Sequence, residues 1–377
     1  MTAVRPADVR ARPSSSDPPA EARQGRRSPL PLGTRGTRVL LGCLAAGVVV
    51  SVTLAVGAGP VRMPARTVWA IIGHHVLGVP AEPSWGTAAD HIVWLVRLPR
   101  VLMAVVVGGG LAVVGVAFQA LVRNALADPY LLGASSGASV GATAVIVLGV
   151  FSGLGTYALS AAAFAGALVA VVLVFVIARS AGGVTPLRLI LSGTAMAAVF
   201  ASVTSFLILA VNREAARAVM FWLLGSLAPA RWAFLGLPTG VVLLGTCWLL
   251  LQARLLNALV IGDDTATTLG VDVRRLRRSL ITVASLVTGV LVAVSGTIGF
   301  VGLMIPHLAR LVSGSDHRRV LPVSALSGAV FLVWADVGAR MLIAPAELPI
   351  GVITSLVGAP FFVLLMRRSG YGQGRAT

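Results

Sequence analysis

Long apolar runs alternate with short polar turns along nearly the whole chain. Apolar windows fall near 39–59, 101–121, 133–151, 157–178, 189–210, 236–252, 280–300, 303–313, 320–341 and 349–366. A helix needs about 20 apolar residues to cross a hydrocarbon core ~30 Å thick, at ~1.5 Å of rise per residue. The pattern therefore predicts an all-α, polytopic membrane protein with ten transmembrane helices, the eighth too short to cross alone. Residues 279–306 hold no charge, and Gly296, Gly299, Gly302 and Pro306 fall in the second half of that stretch. One straight helix would overshoot the membrane there. The spacing predicts a break, with a short helix starting near Met304.

Composition agrees. Of 377 residues, 57% are hydrophobic and 11% charged, against about 25% charged in a soluble protein. Beyond the N-terminal tail no polar block is long enough for a separate soluble domain. The organisation read from the chain is a disordered cytoplasmic tail over 1–38, rich in Arg, Pro, Ser and Ala, a transmembrane domain over 39–368, and a cytoplasmic C-terminal tail over 369–377. Arg26-Arg27 resembles a twin-arginine export signal. The apolar run after it begins only near Val39 and is long enough to span, which favours a retained first helix.

All 30 basic residues are arginine. Without lysine the chain can build neither a P-loop nor a Schiff base. If it works against a gradient using ATP, a partner must hydrolyse it. The net charge of +17 reads as arginine-rich cytoplasmic loops rather than a nucleic-acid surface. Cys43 and Cys247 lie in apolar runs and read as small core or lipid-facing residues. Of the histidines, only His74 and His75 are adjacent, with no carboxylates at metal-ligand spacing, so the sequence offers no metal site and no catalytic residue. Asp336 and Glu347 are the acids nearest the membrane interior, and both sit toward one end. That argues against proton-coupled secondary transport.

Arginine placement orients the spans. With both termini in the cytoplasm of a multi-pass cell-membrane protein, inside segments hold 22 of the 30 arginines, as positive-inside bias requires. The outside keeps Arg62, Arg66, Arg97, Arg100, Arg213, Arg217, Arg231 and Arg340. Gly133, Gly137 and Gly141, and the cluster Gly108, Gly109, Gly110 and Gly115, read as packing faces that let helix backbones approach in lipid.

Three places could carry function. RLPR, Arg97 to Arg100, opens the second span on the outside, and Arg340 ends the ninth. Three bidentate cations at one mouth suit a carboxylate-bearing partner, or they snorkel to lipid headgroups, or Arg340 pairs with Asp336 four residues earlier. RNALADP (Arg123 to Pro129), just after the intramembrane amide Gln119, and PHLARLVSGSDHRR (Pro306 to Arg319) are polar inner turns that either end helices or gate a pathway. GDDTATTLGVDVRRLRR, residues 262–278, predicts a short helix Asp263–Leu269 capped by Asp263 or Asp264 and stopped by Gly270. A second helix is capped by Asp272. The loop is either a plain connector or a docking helix for a cytoplasmic partner.

In order along the chain, RLPR, GGGLAVVGVAFQALVRNALADPYLLGASSGASVGA, GDDTATTLGV, GTIGFVGLMIPHLARLVSGSDHRRVLP and ADVGARMLIAPAELPIGVITSLVGAPFF resemble permeases of the FecCD type. Those permeases are the membrane subunits of ABC importers for iron-siderophore, haem and cobalamin. The resemblance covers residues 39–368. It implies the type II ABC importer permease fold and a set of partners. These are a second permease subunit (identical or a relative), two cytoplasmic ATPase subunits that use ATP and Mg, an extracytoplasmic substrate-binding protein, and membrane lipid. It implies no covalent chemistry and no cofactor bound by this chain.

The same resemblance assigns the ATPase coupling helix to Gly262, Asp263, Asp264, Thr265, Ala266, Leu269 and Gly270. Thr265, Ala266 and Leu269 are the first candidates for contact, and the arginines after Asp272 face lipid headgroups. Binding-protein docking falls on Arg97, Arg100 and Arg340. The pathway and inner gate fall on Gln119, Asn124 and Leu126, and on Thr185 and Pro186 before Arg188. There Thr185, Pro186 and Leu187 replace the small hydroxyl pair of the cobalamin permeases, which disfavours cobalamin. The implied function is import of a ferric siderophore by alternating access, with haem or cobalamin as alternative cargo. A stand-alone secondary transporter or channel is the alternative of another class.

Overall fold

The computed structural model describes residues 33–80, 83–180 and 185–368. Most of the predicted N-terminal tail, and all of 369–377, lies outside them. The helices are α1 (Thr34–Gly57), α2 (Ala65–Leu77), α3 (Thr87–Asp90), α4 (Leu98–Val122), α5 (Ala134–Leu148), α6 (Ala158–Ser180), α7 (Pro186–Leu209) and α8 (Arg213–Leu223), followed by α9 (Trp232–Leu251), α10 (Ala253–Ile261), α11 (Asp263–Thr268), α12 (Val273–Ser295), α13 (Val301–Ser313), α14 (His317–Met341) and α15 (Ile350–Arg368). Among the described residues there is no strand.

Ten of these helices fall on the ten predicted windows. Among the described residues, seven helical runs are long and apolar enough to cross a membrane, while α5, α13 and Ile350–Leu364 of α15 are shorter apolar helices. α3 is the start of the helical run that continues into α4, and α2, α8, α10 and α11 fall outside these spans and shorter apolar helices. α2 buries only Val68 and Ile71, and α8 is capped by Asn212, whose side chain accepts from Ala215 N–H at 2.9 Å. A search for spans misses such helices because their apolar face is one stripe wide. α1 begins at Thr34, so the end of the predicted tail is helical. Cys43 and Cys247 are both free and exposed on this chain, not core residues.

α4 is the hub. It is buried along nearly its whole length and packs against α14, α12, α13 and α9. Small residues make that possible. A Cβ on Gly108 would lie 2.3 Å from Gly328 O, and one on Gly137 2.3 Å from Gly166 O, so both helix pairs touch backbone to backbone. In lipid, where apolar burial gives no net drive between helices, this close contact is the main packing energy. Forcing a methyl into it costs about 1–3 kcal/mol. Gly133 departs from the expected packing role, because it turns the chain with φ +75° just before α5.

The predicted break is present. α12 stops at Ser295, Gly296 to Phe300 are non-helical, and α13 begins at Val301 rather than near Met304. Pro306 is therefore inside α13 instead of at its start. Irregular backbone at membrane depth must find partners within the protein. Tyr130 serves Ile298 twice: its hydroxyl donates to Ile298 O at 3.1 Å and accepts from Ile298 N–H at 3.1 Å. Ser226 N–H donates to Ser295 O at 2.8 Å, and the Thr297 hydroxyl donates to Leu223 O. Ile350 and Gly351 N–H donate to Gly225 O and Leu224 O, both at 3.0 Å. The end of α8, the break and the start of α15 thus satisfy one another. Gly225, at φ +75°, sits where a Cβ would lie 2.6 Å from Thr297 O. Only glycine fits there.

Candidate functional site

At the predicted outer end, Arg97, Arg100 and Arg340 converge and all are buried, with 7%, 6% and 7% of their surface exposed. RLPR does not open its span, since one helical run extends from Thr87 to Val122. Within that run His91–Arg97 form a π-helical turn, in which Leu98 N–H donates to Val93 O. Pro99 accounts for the widening, because it has no N–H to offer the preceding turn. Arg97 reaches the C-terminal end of α1, donating to Val56 O at 3.0 Å and Val61 O at 2.7 Å. Arg340 reaches the same end, donating to Ala55 O at 3.2 Å and Ala58 O at 3.3 Å. Two cations thus cap the negative pole of one helix.

Arg100 turns to the acids. Its Nε lies 2.9 Å from Asp336 Oδ1 and its Nη1 2.9 Å from Glu347 Oε2. Asp336, 1% exposed, also meets Arg340 Nε at 3.0 Å, the i,i+4 pair that was one of the expected alternatives. Glu347 stays 44% exposed. These guanidiniums are therefore directed at protein groups rather than headgroups, and Asp336 is neutralised from two sides.

At the predicted inner end, Gly262, at φ +151°, separates α10 from the six-residue α11. Gly270, at φ +80°, ends the turn as expected, with Gly270 N–H donating to Thr267 O at 2.9 Å and Val271 N–H to Ala266 O at 3.0 Å. Asp272 caps α12 by accepting from Arg275 N–H at 2.9 Å. Two expectations are corrected here. Gly262 is the cap residue, and Asp263 and Asp264 occupy the first turn. Ala266 is fully buried and faces the chain, so it anchors the helix and presents nothing. Asp264, Thr265 and Leu269 are exposed.

Asp263 holds this helix in place. Its two oxygens accept from Arg277 Nη2 at 2.8 and 2.9 Å, and Arg123 Nη1 lies 3.7 Å away. Arg277 is buried, so at least this arginine after Asp272 looks back at the loop and not at headgroups. Arg123, in the left-handed conformation at φ 55°, ends α4, so one carboxylate joins α11 to α12 and to the RNALADP turn. Sequence reasoning missed a second tie. Asn257 of α10 donates to Asp316 Oδ1 at 2.9 Å and accepts from His317 N–H at 3.0 Å. It links α10 to the turn between α13 and α14. A polar amide in an apolar helix was the available signal.

The expected gate residues separate into two sets. Asn124 is exposed and closes its own turn, accepting from Leu126 N–H at 2.9 Å, with Leu126 half-buried. Thr185 accepts from Arg188 N–H at 3.4 Å and Pro186 opens α7, while residues 181–184 lie outside the described set. Gln119 is elsewhere: it is 3% exposed and wedged between α4 and α13, donating to Gly302 O at 3.3 Å and Leu303 O at 3.2 Å. In the segment between α1 and Arg97, folding gives His75 the carboxylate that sequence spacing denied it, with Nε2 3.0 Å from Asp90 Oδ2. No cluster of three or more metal-ligating side chains occurs among the described residues.

The chain is similar to known proteins along most of its length. The cobalamin import system permease of Halobacterium salinarum is 47% identical over 279 residues, 74% of each chain. The hemin transport system permease of Yersinia pestis is 42% identical over 88% of this chain and 96% of its own. A solved structure described as an inward-facing metal-chelate type ABC transporter matches with a TM-score of 0.76 and 32% identity, covering 88% of this chain and 99% of that one. The model of the FecCD transport family matches residues 47–368. The chain is an ABC importer permease and belongs to the FecCD transport family.

Proposed function

We propose that this permease carries a ferric siderophore inward, with both termini in the cytoplasm, paired with a second permease and served by two ATPase subunits and a binding protein. The observation that carries the reading is the inner-end geometry. A short helix with exposed Asp264, Thr265 and Leu269 is pinned through Asp263 to α12 and to the turn after α4. A push on α11 would reach α12 through Arg277, the RNALADP turn through Arg123, and the α13–α14 turn through Asn257. ATP closure of the partner subunits supplies that push, and chemistry stays with them. At the outer end a carboxylate of the binding protein would exchange with Glu347 on Arg100.

The turn Thr185-Pro186-Leu187 favours an iron chelate over cobalamin. The 47% identity to a cobalamin permease supports the second reading, cobalamin as cargo. Uptake of radiolabelled ferric siderophores, hemin and cobalamin by cells carrying the importer as their sole route decides between them. The siderophore reading expects accumulation of labelled iron, competed by cold siderophore and not by cobalamin. Cobalamin-competed uptake overturns it, and uptake that persists without any partner ATPase overturns the importer mechanism.

A further inference from the structure

α13 contains a proline in its interior, and the helix does not break there. Pro306 has no N–H, so the carbonyl one turn earlier, Gly302 O, loses its intrahelical donor. In a buried, apolar setting an orphaned carbonyl is costly. Gln119 of α4 fills the vacancy, with its Nε2 donating to Gly302 O at 3.3 Å and to the neighbouring Leu303 O at 3.2 Å. Its other end is fixed too, because Arg310 Nη2 donates to Gln119 Oε1. Carbonyls only accept and a guanidinium only donates, so the amide has one orientation that satisfies both. Access for the side chain comes from Gly115, one turn before Gln119. A Cβ there would lie 2.0 Å from Gly302 O, so α4 and α13 run in backbone contact at this level.

We propose that Gln119 is a positioning residue that replaces the amide Pro306 lacks, held in place by Arg310. The pair keeps α13 intact across its proline and in register with α4. The span's departure from helix is then confined to Gly296–Phe300, the break before α13. The role in transport rests on the importer reading, but the structural role does not depend on what is carried.

The test is a double-mutant cycle on the full chain in its complex, in lipid nanodiscs. Gln119→Leu keeps the volume and removes both donors. Pro306→Ala restores the N–H that Gly302 O needs. Gln119→Leu is expected to speed hydrogen exchange of amides in 303–313 by roughly five- to tenfold and to lower the melting temperature. In the double variant exchange returns to within about twofold of the parent, because the restored backbone N–H at position 306 takes over Gly302 O. Gln119→Glu, which keeps the contact to Arg310 but cannot donate, should behave like Gln119→Leu and be rescued likewise. Equal losses with and without Pro306→Ala, or exchange in 303–313 unchanged by Gln119→Leu, overturn the assignment. If the exchange cycle holds while uptake is unaffected, the local geometry stands and its importance for transport is refuted.

Discussion

The two charged ends of this permease treat their charges in opposite ways. At the outer end, Arg97, Arg100 and Arg340 are all buried and their donors are consumed within the chain, by the last carbonyls of α1 and by Asp336 and Glu347. At the inner end, α11 buries Ala266 and pairs Asp263, but leaves Asp264, Thr265 and Leu269 in the open. One end is closed on itself and the other presents a surface. A run of charge in a sequence therefore says little about accessibility until its partners are known. A helix C-terminus is a partner that residue types alone do not announce.

The sharpest way to break the comparison is Asp336→Asn. The substitution leaves Arg340 without its carboxylate and Arg100 with Glu347 alone, in a site where Asp336 was 1% exposed. Uncompensated buried charge of this kind costs about 3–5 kcal/mol. The expected result is a large fall in melting temperature and in the amount of protein in the membrane, partly recovered by Arg340→Gln, which removes one surplus cation. A variant as stable as the parent would mean that the outer cluster is not held by its ion pairs. Next in size is Asp263→Ala. It strips Arg277 of its carboxylate and should cost about 1–3 kcal/mol, with uptake falling further than stability because the ties to α12 and α4 are lost together. Asp264→Ala, one residue on, should change stability by less than about 0.5 kcal/mol. Asp264→Arg with Leu269→Arg should abolish uptake in a protein that still melts normally. Indistinguishable behaviour of Ala substitutions at 263 and 264 would erase the distinction between pinned and presented.

Much of this is legible in the amino-acid sequence. Apolar windows located the ten membrane-embedded helices because lipid imposes a length on every spanning segment. Charge-free length with clustered glycine predicts a break in this span, which the structure places at 296–300, and Asp272 and Gly270 mark helix ends through their own backbone chemistry. What failed had a common cause. The sequence puts the start of α13 near Met304, three residues after its true start at Val301, because Pro306 reads as a helix start. It is an interior residue only because Gln119, on another helix, supplies the missing donor. The resemblance offers Ala266 for contact, and six residues are too few for periodicity to say which face is covered; Ala266 is fully buried. Asn257, Asp263 and Arg277 find partners by tertiary contact across 59, 14 and 14 positions, and no local pattern encodes such a pairing.

The smallest effect tests the outer end most directly. Arg100 is shared between the buried Asp336 and Glu347, which is 44% exposed, and of these two carboxylates only the second can yield to an incoming one without unburying anything. Glu347→Gln keeps the shape and removes the competitor. An exposed pair of this type is worth about 0.2–1 kcal/mol, so the variant should bind the purified binding protein roughly two- to fivefold more tightly at low ionic strength. Salt should shrink the gain, since a half-exposed charge is screened over about 10 Å at 0.1 M. Arg100→Gln should abolish the gain when combined with Glu347→Gln. Weaker or unchanged association in Glu347→Gln would show that the outer cluster acts only as an internal clamp on α1, α4 and α14, and would move docking to the exposed arginines Arg62 and Arg66 at the same end.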